Sequence, residues 1–471
     1  MKPSWPLMLL LGFGSGVLLE ITLRLPTTNI LAPLVLVPLL WVLARGNPAQ
    51  TGVAMLLFGL PSGFWVHEGG FLLYPFWTAV GLFVYMLAYG LVGFWTALVR
   101  QHLGRWAAWL ALLSGWAGIM FVLMQPNITE RFAHLAWVAM AVALLDTPLL
   151  SAAAWSGITG LGLLLWLLNL GLYELLLERR WVPLAVVTLF AALAVTLAPS
   201  TQSTARASQF TVVQTNARYV EEELAPYNPA LTERLLQPLA RQSQRPEGVL
   251  LWPEGSVPMP IRFGQAPPPQ LLKALAHADE ALIGGIGLGA NSQVYNTVFG
   301  WRGGRLEPVY NKQVLMPGGE DNLIPGAPDQ PLYKAGGLEL GLLICYESII
   351  PWVARRSVEQ GAEALVVLTS NSFAGGTDTP LAHLAGSRIL AASLGRPLVF
   401  AAKTGPSVFT DARGRVLTES KRGTVTTLVG RLEGHTGLTP YARVGDWLGG
   451  LGLLVVLGQM LVVRLKLKLG A

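Results

Sequence analysis

The chain has 471 residues, of which 52% are hydrophobic and only 13% charged, and its mean hydropathy is +0.49. A soluble globular chain carries about 25% charged residues, so the composition excludes an ordinary soluble protein. The formal net charge of +6 does not indicate nucleic acid as a partner, because no basic run or arginine-rich stretch is present. Cys345 is the only cysteine, which rules out an internal disulfide framework and a Cys-based zinc site.

Charge is unevenly placed along the chain. Residues 1–200 hold 14 of the 60 Asp, Glu, Lys and Arg, residues 206–443 hold 42, and the remainder hold 4. The first part therefore reads as membrane and the second as a water-exposed domain. A span needs about 20 mostly apolar residues. Such runs lie near 7–23, 29–44, 51–66, 73–98, 107–124, 156–176 and 182–198, with a last one at 446–463. The first run is glycine-rich and no Ala-x-Ala cleavage site follows it, so it reads as a retained span and not a signal peptide. Residues 134–145 are apolar but short, and they run into Asp146-Thr147-Pro148, which fits an interfacial or re-entrant piece better than a span.

Lys and Arg in short loops set orientation. With seven spans before the domain, the cytoplasmic loops hold Lys2, Arg45, Arg100, Arg105, Arg179, Arg180, Arg464, Lys466 and Lys468, against Arg24 and Arg131 outside. The expected arrangement is a transmembrane domain over 1–200, an extracytoplasmic domain over 207–440, and a closing span over 446–463. Glu20, His67, Glu68 and Asp146 sit near span ends, where snorkelling makes them inexpensive; an ion path would need such groups at mid-membrane depth.

From 207 to 440 the pattern becomes short apolar runs alternating with helical stretches. Strands are expected at Phe210–Asn216, Val249–Trp252, Ala281–Leu288, Val294–Trp301, Leu338–Ile344, Ala364–Thr369, Leu398–Ala402 and Thr424–Val429. Helices are expected near 228–242, 268–278, 350–360 and 380–394. Alternation of this kind argues for an α/β domain whose sheets are covered on both faces. Gly284-Gly285-Ile286-Gly287 resembles part of a dinucleotide fingerprint, but no helix or acidic residue follows in register, so a strand-end turn is expected there.

Three places carry chemistry. Leu250-Leu251-Trp252-Pro253-Glu254 is an apolar strand reaching a carboxylate. A Gly/Pro-rich loop from Tyr310 to Glu320 holds Lys312, and Leu342-Leu343-Ile344-Cys345 ends a buried strand on the sole thiol. Singly, such a cysteine is a small buried hydrophobe, such a glutamate a turn cap, and such a lysine a solvated charge. Together they read as a base, a cation and a nucleophile.

The order Glu254, Lys312, Cys345 resembles the Glu-Lys-Cys triad of the nitrilase (carbon–nitrogen hydrolase) superfamily. With the membrane half, and with Ile344-Cys345-Tyr346-Glu347-Ser348 and Lys312 followed by Glu320, the chain is similar to the bacterial apolipoprotein N-acyltransferases. Leu368-Thr369-Ser370-Asn371-Ser372-Phe373-Ala374-Gly375 and Gly395-Arg396-Pro397 resemble that family's later segments. Departures fall at Asn311, Val314, Met316 and Gly318, and at Ser370, Asn371, Phe373 and Ala374.

The resemblance implies a polytopic α-helical membrane domain of about eight spans plus a nitrilase-like αββα sandwich. It implies Glu254, Lys312 and Cys345 as catalytic residues, Glu320 as a supporting carboxylate near the lysine, and Tyr346 and Glu347 as residues shaping the pocket. The implied reaction moves a fatty acyl group from a membrane phospholipid, through a Cys345 thioester, to the N-terminal amine of a diacylglyceryl apolipoprotein. It needs no metal or other cofactor, and it takes place at the extracytoplasmic face of the bacterial inner membrane. A membrane-tethered amidase or nitrilase would use the same three residues with water as second substrate.

Overall fold

The computed structural model describes residues 4–73, 75–129, 139–217, 229–374 and 376–469. Lys2, Arg131, Gly375 and the first part of 134–145 lie outside the described residues. The chain divides into two compact units, Met1–Pro199 with Val444–Ala471, and Ser200–Arg443.

The first unit is helical. Helices Trp5–Arg24, Val37–Arg45, Pro48–His67, Pro75–Leu103, Arg105–Leu123, Ala153–Glu178, Val182–Thr196 and Trp447–Leu469 fall on the eight apolar runs. Among the described residues five helices, Trp5–Arg24, Pro75–Leu103, Arg105–Leu123, Pro148–Glu178 and Trp447–Lys468, are long and apolar enough to cross a membrane, while Asn29–Arg45 and Val182–Thr196 are shorter apolar helices. Local chemistry sets the helix starts. Asn47 accepts from Gln50 N at 2.9 Å, the Gln50 side chain accepts from Asn47 N at 3.0 Å, and Pro48 occupies the first turn, a reciprocal cap that satisfies two otherwise orphaned donors.

Ionisable groups in this unit meet one another. Arg24 pairs with Glu20 at 3.0 Å and Glu68 at 2.8 Å. Fully buried Glu174 accepts from Trp109 Nε1 at 3.0 Å and pairs with Arg105. Glu178 pairs with Arg45 at 3.2 Å and Arg105 at 3.0 Å. His67 is buried, with Nδ1 2.7 Å from the Gly63 carbonyl, and so differs from the interfacial snorkelling expected of it. A carbonyl oxygen has two lone pairs, so Gly63, one turn before His67 in the same helix, can serve the buried ring as well as the backbone.

Among the described residues the second unit is a sandwich of two six-stranded sheets. One has the order β12-β1-β2-β3-β4-β5 and the other β11-β10-β9-β8-β7-β6. The strands are β1 (Gln202–Gln214), β2 (Val249–Arg262), β3 (Glu280–Leu288), β4 (Val294–Arg302), β5 (Arg305–Asn311), β6 (Tyr333–Ala335), β7 (Leu338–Ile344), β8 (Ala364–Thr369), β9 (Leu398–Ala402), β10 (Val408–Thr410), β11 (Val416–Glu419) and β12 (Thr426–Thr436). β1, β2 and β3 run parallel, as do β7, β8 and β9. Side chains alternate across each strand. Val249 and Leu251 therefore join Leu342, Ile344, Val366 and Leu368 in the core between the sheets. Leu250 and Trp252 face the other way, into a core with Leu236 and Leu239 of helix Pro229–Gln242 and Leu271 and Leu275 of helix Pro269–Leu275. Helices Pro351–Glu359 and Thr379–Leu394 pack on the second sheet. The layers are thus αββα.

Four strands escape a reading of apolar runs. β6 and β10 have only three residues each, β11 is four residues long and largely exposed, and β5 contains Pro308, opposite which the register slips. The glycine run 284–287 is a correction: it lies inside β3, not in a turn. A Cβ on Gly284 would stand 2.5 Å from both Glu254 Cα and Pro253 O, so the absence of a side chain is what lets β3 lie against β2 at Glu254. β2 also runs on past Glu254 to Arg262, through register shifts between Trp252 and Val257 and between Val257 and Ile261.

Candidate active site

Glu254 lies within β2, Lys312 directly follows β5, and Cys345 directly follows β7. The sandwich brings these distant positions together. The Lys312 ammonium is 3.5 Å from Glu254 Oε1 and 2.7 Å from Glu320 Oε2. Asn296 on β4 donates from Nδ2 to Glu254 Oε1 at 2.8 Å and to Glu320 Oε1 at 2.7 Å. The other Glu254 oxygen, Oε2, accepts from the Ser370 N–H at 2.9 Å. Glu320 Oε2 also accepts from Met316 N at 2.7 Å, which folds the Gly/Pro-rich loop back toward its own lysine.

Burial opposes the charge on Glu254, but Lys312, the Asn296 amide and the Ser370 N–H together hold its carboxyl below the usual range. Burial likewise works against the Lys312 ammonium, and the carboxylates of Glu320 and Glu254 overcome it, holding the group above its ordinary range. For Cys345 the balance goes the other way. Burial and the Glu254 charge push the thiol up, and the pull of Lys312 does not offset them. At rest the group is therefore carboxylate, ammonium and neutral thiol. Lys312 favours the thiolate as its charge requires, but it does not by itself produce one.

Cys345 has a φ of +49°, in the left-handed region that a residue with a Cβ rarely adopts. It opens the short 3-10 turn Cys345–Ile349 straight out of β7. The chain thus turns sharply at the thiol, as the end of a buried strand meets a helical turn.

Glu347 holds the two halves of this arrangement in register. Its carboxylate accepts from Ile344 N at 2.8 Å, Gln313 N at 2.6 Å, Val314 N at 3.1 Å and the Tyr310 hydroxyl at 2.9 Å. It clamps the loop after Lys312 to the end of β7, and burial pushes it up to about 7 against those donors. Tyr346 is buried, and that burial raises its phenol despite the Lys312 charge.

The structure thus brings Glu254, Lys312, Glu320 and Cys345 together and places Glu347 as the brace between their loops. It adds residues that motif reading passed over. Asn296 was legible only as a polar residue beside Thr297 in a mostly buried strand, and the Ser370 N–H carries no side-chain signal at all. Lys403, buried at the end of β9, donates to the Gly255 carbonyl at 2.9 Å and fixes the backbone beside Glu254. Among the described residues no group of His, Cys, Asp and Glu could hold a metal ion.

Residues 212–441 match the carbon-nitrogen hydrolase family. The apolipoprotein N-acyltransferase of Photobacterium profundum is 25% identical over 93% of this chain and 92% of its own length. That of Methylococcus capsulatus is 27% identical over 93% of each chain. Among solved structures, Saccharomyces cerevisiae Nit3, a member of branch 10 of the nitrilase superfamily, is 18% identical, with a TM-score of 0.38, over 50% of this chain and 93% of its own.

Proposed function

We propose, from the membership of this chain in the apolipoprotein N-acyltransferases, that Cys345 carries a fatty acyl group between a membrane phospholipid and the N-terminal amine of a diacylglyceryl lipoprotein. The protein is a membrane enzyme that N-acylates lipoproteins, and its catalytic unit is the carbon–nitrogen hydrolase domain. The observation that carries the detailed reading is the meeting of the Glu254 carboxylate and the Lys312 ammonium, 3.5 Å apart, at the only thiol in the chain.

Glu254 takes the thiol proton as the Cys345 sulfur attacks the ester carbonyl of the phospholipid. Lys312 offers its positive charge to the oxygen of the tetrahedral intermediate. Collapse breaks the ester bond, Glu254 returns the proton to the departing lysophospholipid oxygen, and the acyl group remains as a thioester. The lipoprotein amine then attacks the thioester carbonyl, Glu254 takes the amine proton, and the amide forms as the proton passes back to sulfur. Glu320 and Asn296 keep Lys312 and Glu254 in place through both halves.

The spans give the chemistry its location. We read residues 1–200 and 446–463 as membrane and 207–440 as the catalytic domain, on the periplasmic side of the inner membrane, from the placement of Lys and Arg. An acyl chain drawn into water loses about 0.8 kcal/mol per CH₂, so an enzyme with two lipid substrates works at the bilayer.

Intact-mass measurement tests the reading. With phospholipid alone, wild-type protein should gain a stable acyl mass, absent in Cys345→Ala. A diacylglyceryl peptide with a free N-terminus should discharge it rapidly, and the N-acetylated peptide should not. Release of free fatty acid at the same rate with or without peptide would favour a hydrolase and sink the transferase reading.

A further inference from the structure

Cys345 and Asn371 are both non-glycine residues in the left-handed region, with φ of +49° and +55°. They follow the ends of β7 and β8, which pair in parallel. One buried side chain joins them. His383, on helix Thr379–Leu394, has Nε2 2.9 Å from the Cys345 carbonyl oxygen and 2.7 Å from Ser348 Oγ, while Nδ1 is 3.1 Å from Asn371 Oδ1. Ser348 donates to the same Cys345 carbonyl at 2.9 Å and accepts from Ser387 Oγ at 2.8 Å.

The proton positions follow from these partners. A carbonyl oxygen only accepts, so Nε2 must carry a proton, shared between the Cys345 carbonyl and Ser348 Oγ. Burial pushes the imidazole down to about 4, so the ring is neutral at physiological pH and Nδ1 is a bare acceptor. The atom of Asn371 facing it must then be the amide nitrogen. Among the described residues Asn371 Nδ2 otherwise has no hydrogen-bond partner although it is buried, and turning the amide by a half rotation brings it to Nδ1 in place of Oδ1.

We propose that His383 is a positioning residue for acyl transfer: neutral, donating from Nε2 to the Cys345 carbonyl and accepting at Nδ1 from Asn371, it locks the peptide after Cys345 and thereby holds the thiol against Glu254 and Lys312. The inference rests on the acyltransferase reading for its consequence, though its geometry stands apart from the identity of the acyl donor. With Ser348 it gives the Cys345 carbonyl two donors, and that peptide has no freedom to rotate without losing both. The left-handed turn at Cys345 is disfavoured in isolation, so it persists only while such contacts hold it.

The test uses full-length protein and two readouts, acyl-enzyme formation from phospholipid and alkylation of the sole cysteine by iodoacetamide at neutral pH, each followed by intact mass. His383→Leu should slow both by about tenfold or more, since small displacements of a reacting group are costly. His383→Gln, which can still present a side-chain N–H to the carbonyl, should come within about threefold of wild type, with both variants melting as wild type does. If His383→Leu destabilises the fold, the comparison of His383→Gln with Ser348→Ala serves instead, and Ser348→Ala should be the slower of the two. Wild-type rates in His383→Leu, or equal impairment of a well-folded His383→Leu and His383→Gln, would overturn the proposal. A wild-type protein that alkylates normally yet takes no acyl group would count against the acyltransferase reading, and the alkylation comparison would still decide the role of His383.

Discussion

Asn296 supplies one amide nitrogen to two carboxylates, Glu254 at 2.8 Å and Glu320 at 2.7 Å. Lys312 reaches the same two carboxylates, at 3.5 and 2.7 Å. Replacing Asn296 with Leu leaves two buried acceptors short of a donor, and acyl-enzyme formation should fall by about 10–100-fold, since an unsatisfied buried group costs about 1–3 kcal/mol. Wild-type acylation by Asn296→Leu would show that Lys312 alone orders the pair. The protonation states make a second prediction. Because the Glu254 carboxyl is held below its ordinary range, the base form survives as pH falls through the usual Glu value and is lost only at the lower, folded value. The acid limb of acyl-enzyme formation should therefore lie below about pH 4.3. The same sign governs stability, since a depressed carboxyl contributes above its unfolded value and stops contributing as pH falls through the folded one. The raised thiol predicts that iodoacetamide labelling of Cys345 keeps climbing through about pH 9, above the ordinary thiol value. A plateau near neutrality would mean a preformed thiolate and contradict the resting state described above.

At the scale of elements, the contact of β3 with β2 decides where Glu254 sits. Gly284→Ala would drive a Cβ to 2.5 Å from the Glu254 Cα, against backbone that cannot yield as a side-chain tip would. Overpacking of this kind costs about 1–3 kcal/mol, so the variant should melt lower and acylate more slowly, while Gly285→Ala, whose nearest neighbour is the Val257 side chain at 3.3 Å, should be milder. Equal behaviour of the two would remove the special role given to the β2–β3 approach. The longer strands and the helices Pro229–Gln242, Pro269–Leu275, Pro351–Glu359 and Thr379–Leu394 were legible because their apolar periodicity is strong. The short strands and the true setting of the 284–287 glycines were not, because a glycine needed for close approach and one needed for a turn look alike in sequence. Glu347 had a similar ambiguity. Its motif marked it as important, but only the four donors on its carboxylate identify it as a brace for the lysine loop.

For the molecule as a whole, the placement of Lys and Arg predicts both termini in the cytoplasm and the catalytic domain outside. Alkaline phosphatase, active only outside the cytoplasm, should be inactive when fused at Arg105, Arg180 or the C-terminus and active when fused after Ser200. Activity at Arg180 would change the span count by one and move the domain to the other side.

What the sequence determined by itself was whatever depends on run length, periodicity and residue type. Those are the apolar runs, the covered strands, and the order Glu254, Lys312, Cys345 with a single thiol. They are local properties, set by how far a helix or strand rises per residue and by which side chains water rejects. Tertiary structure alone decided which atoms meet and where protons reside. Asn296, Ser370 and His383 act through partners on other strands and loops. Whether Cys345 is thiol or thiolate is a balance of burial against the charges that folding brings to it, a quantity no stretch of chain possesses until the two sheets have closed over it.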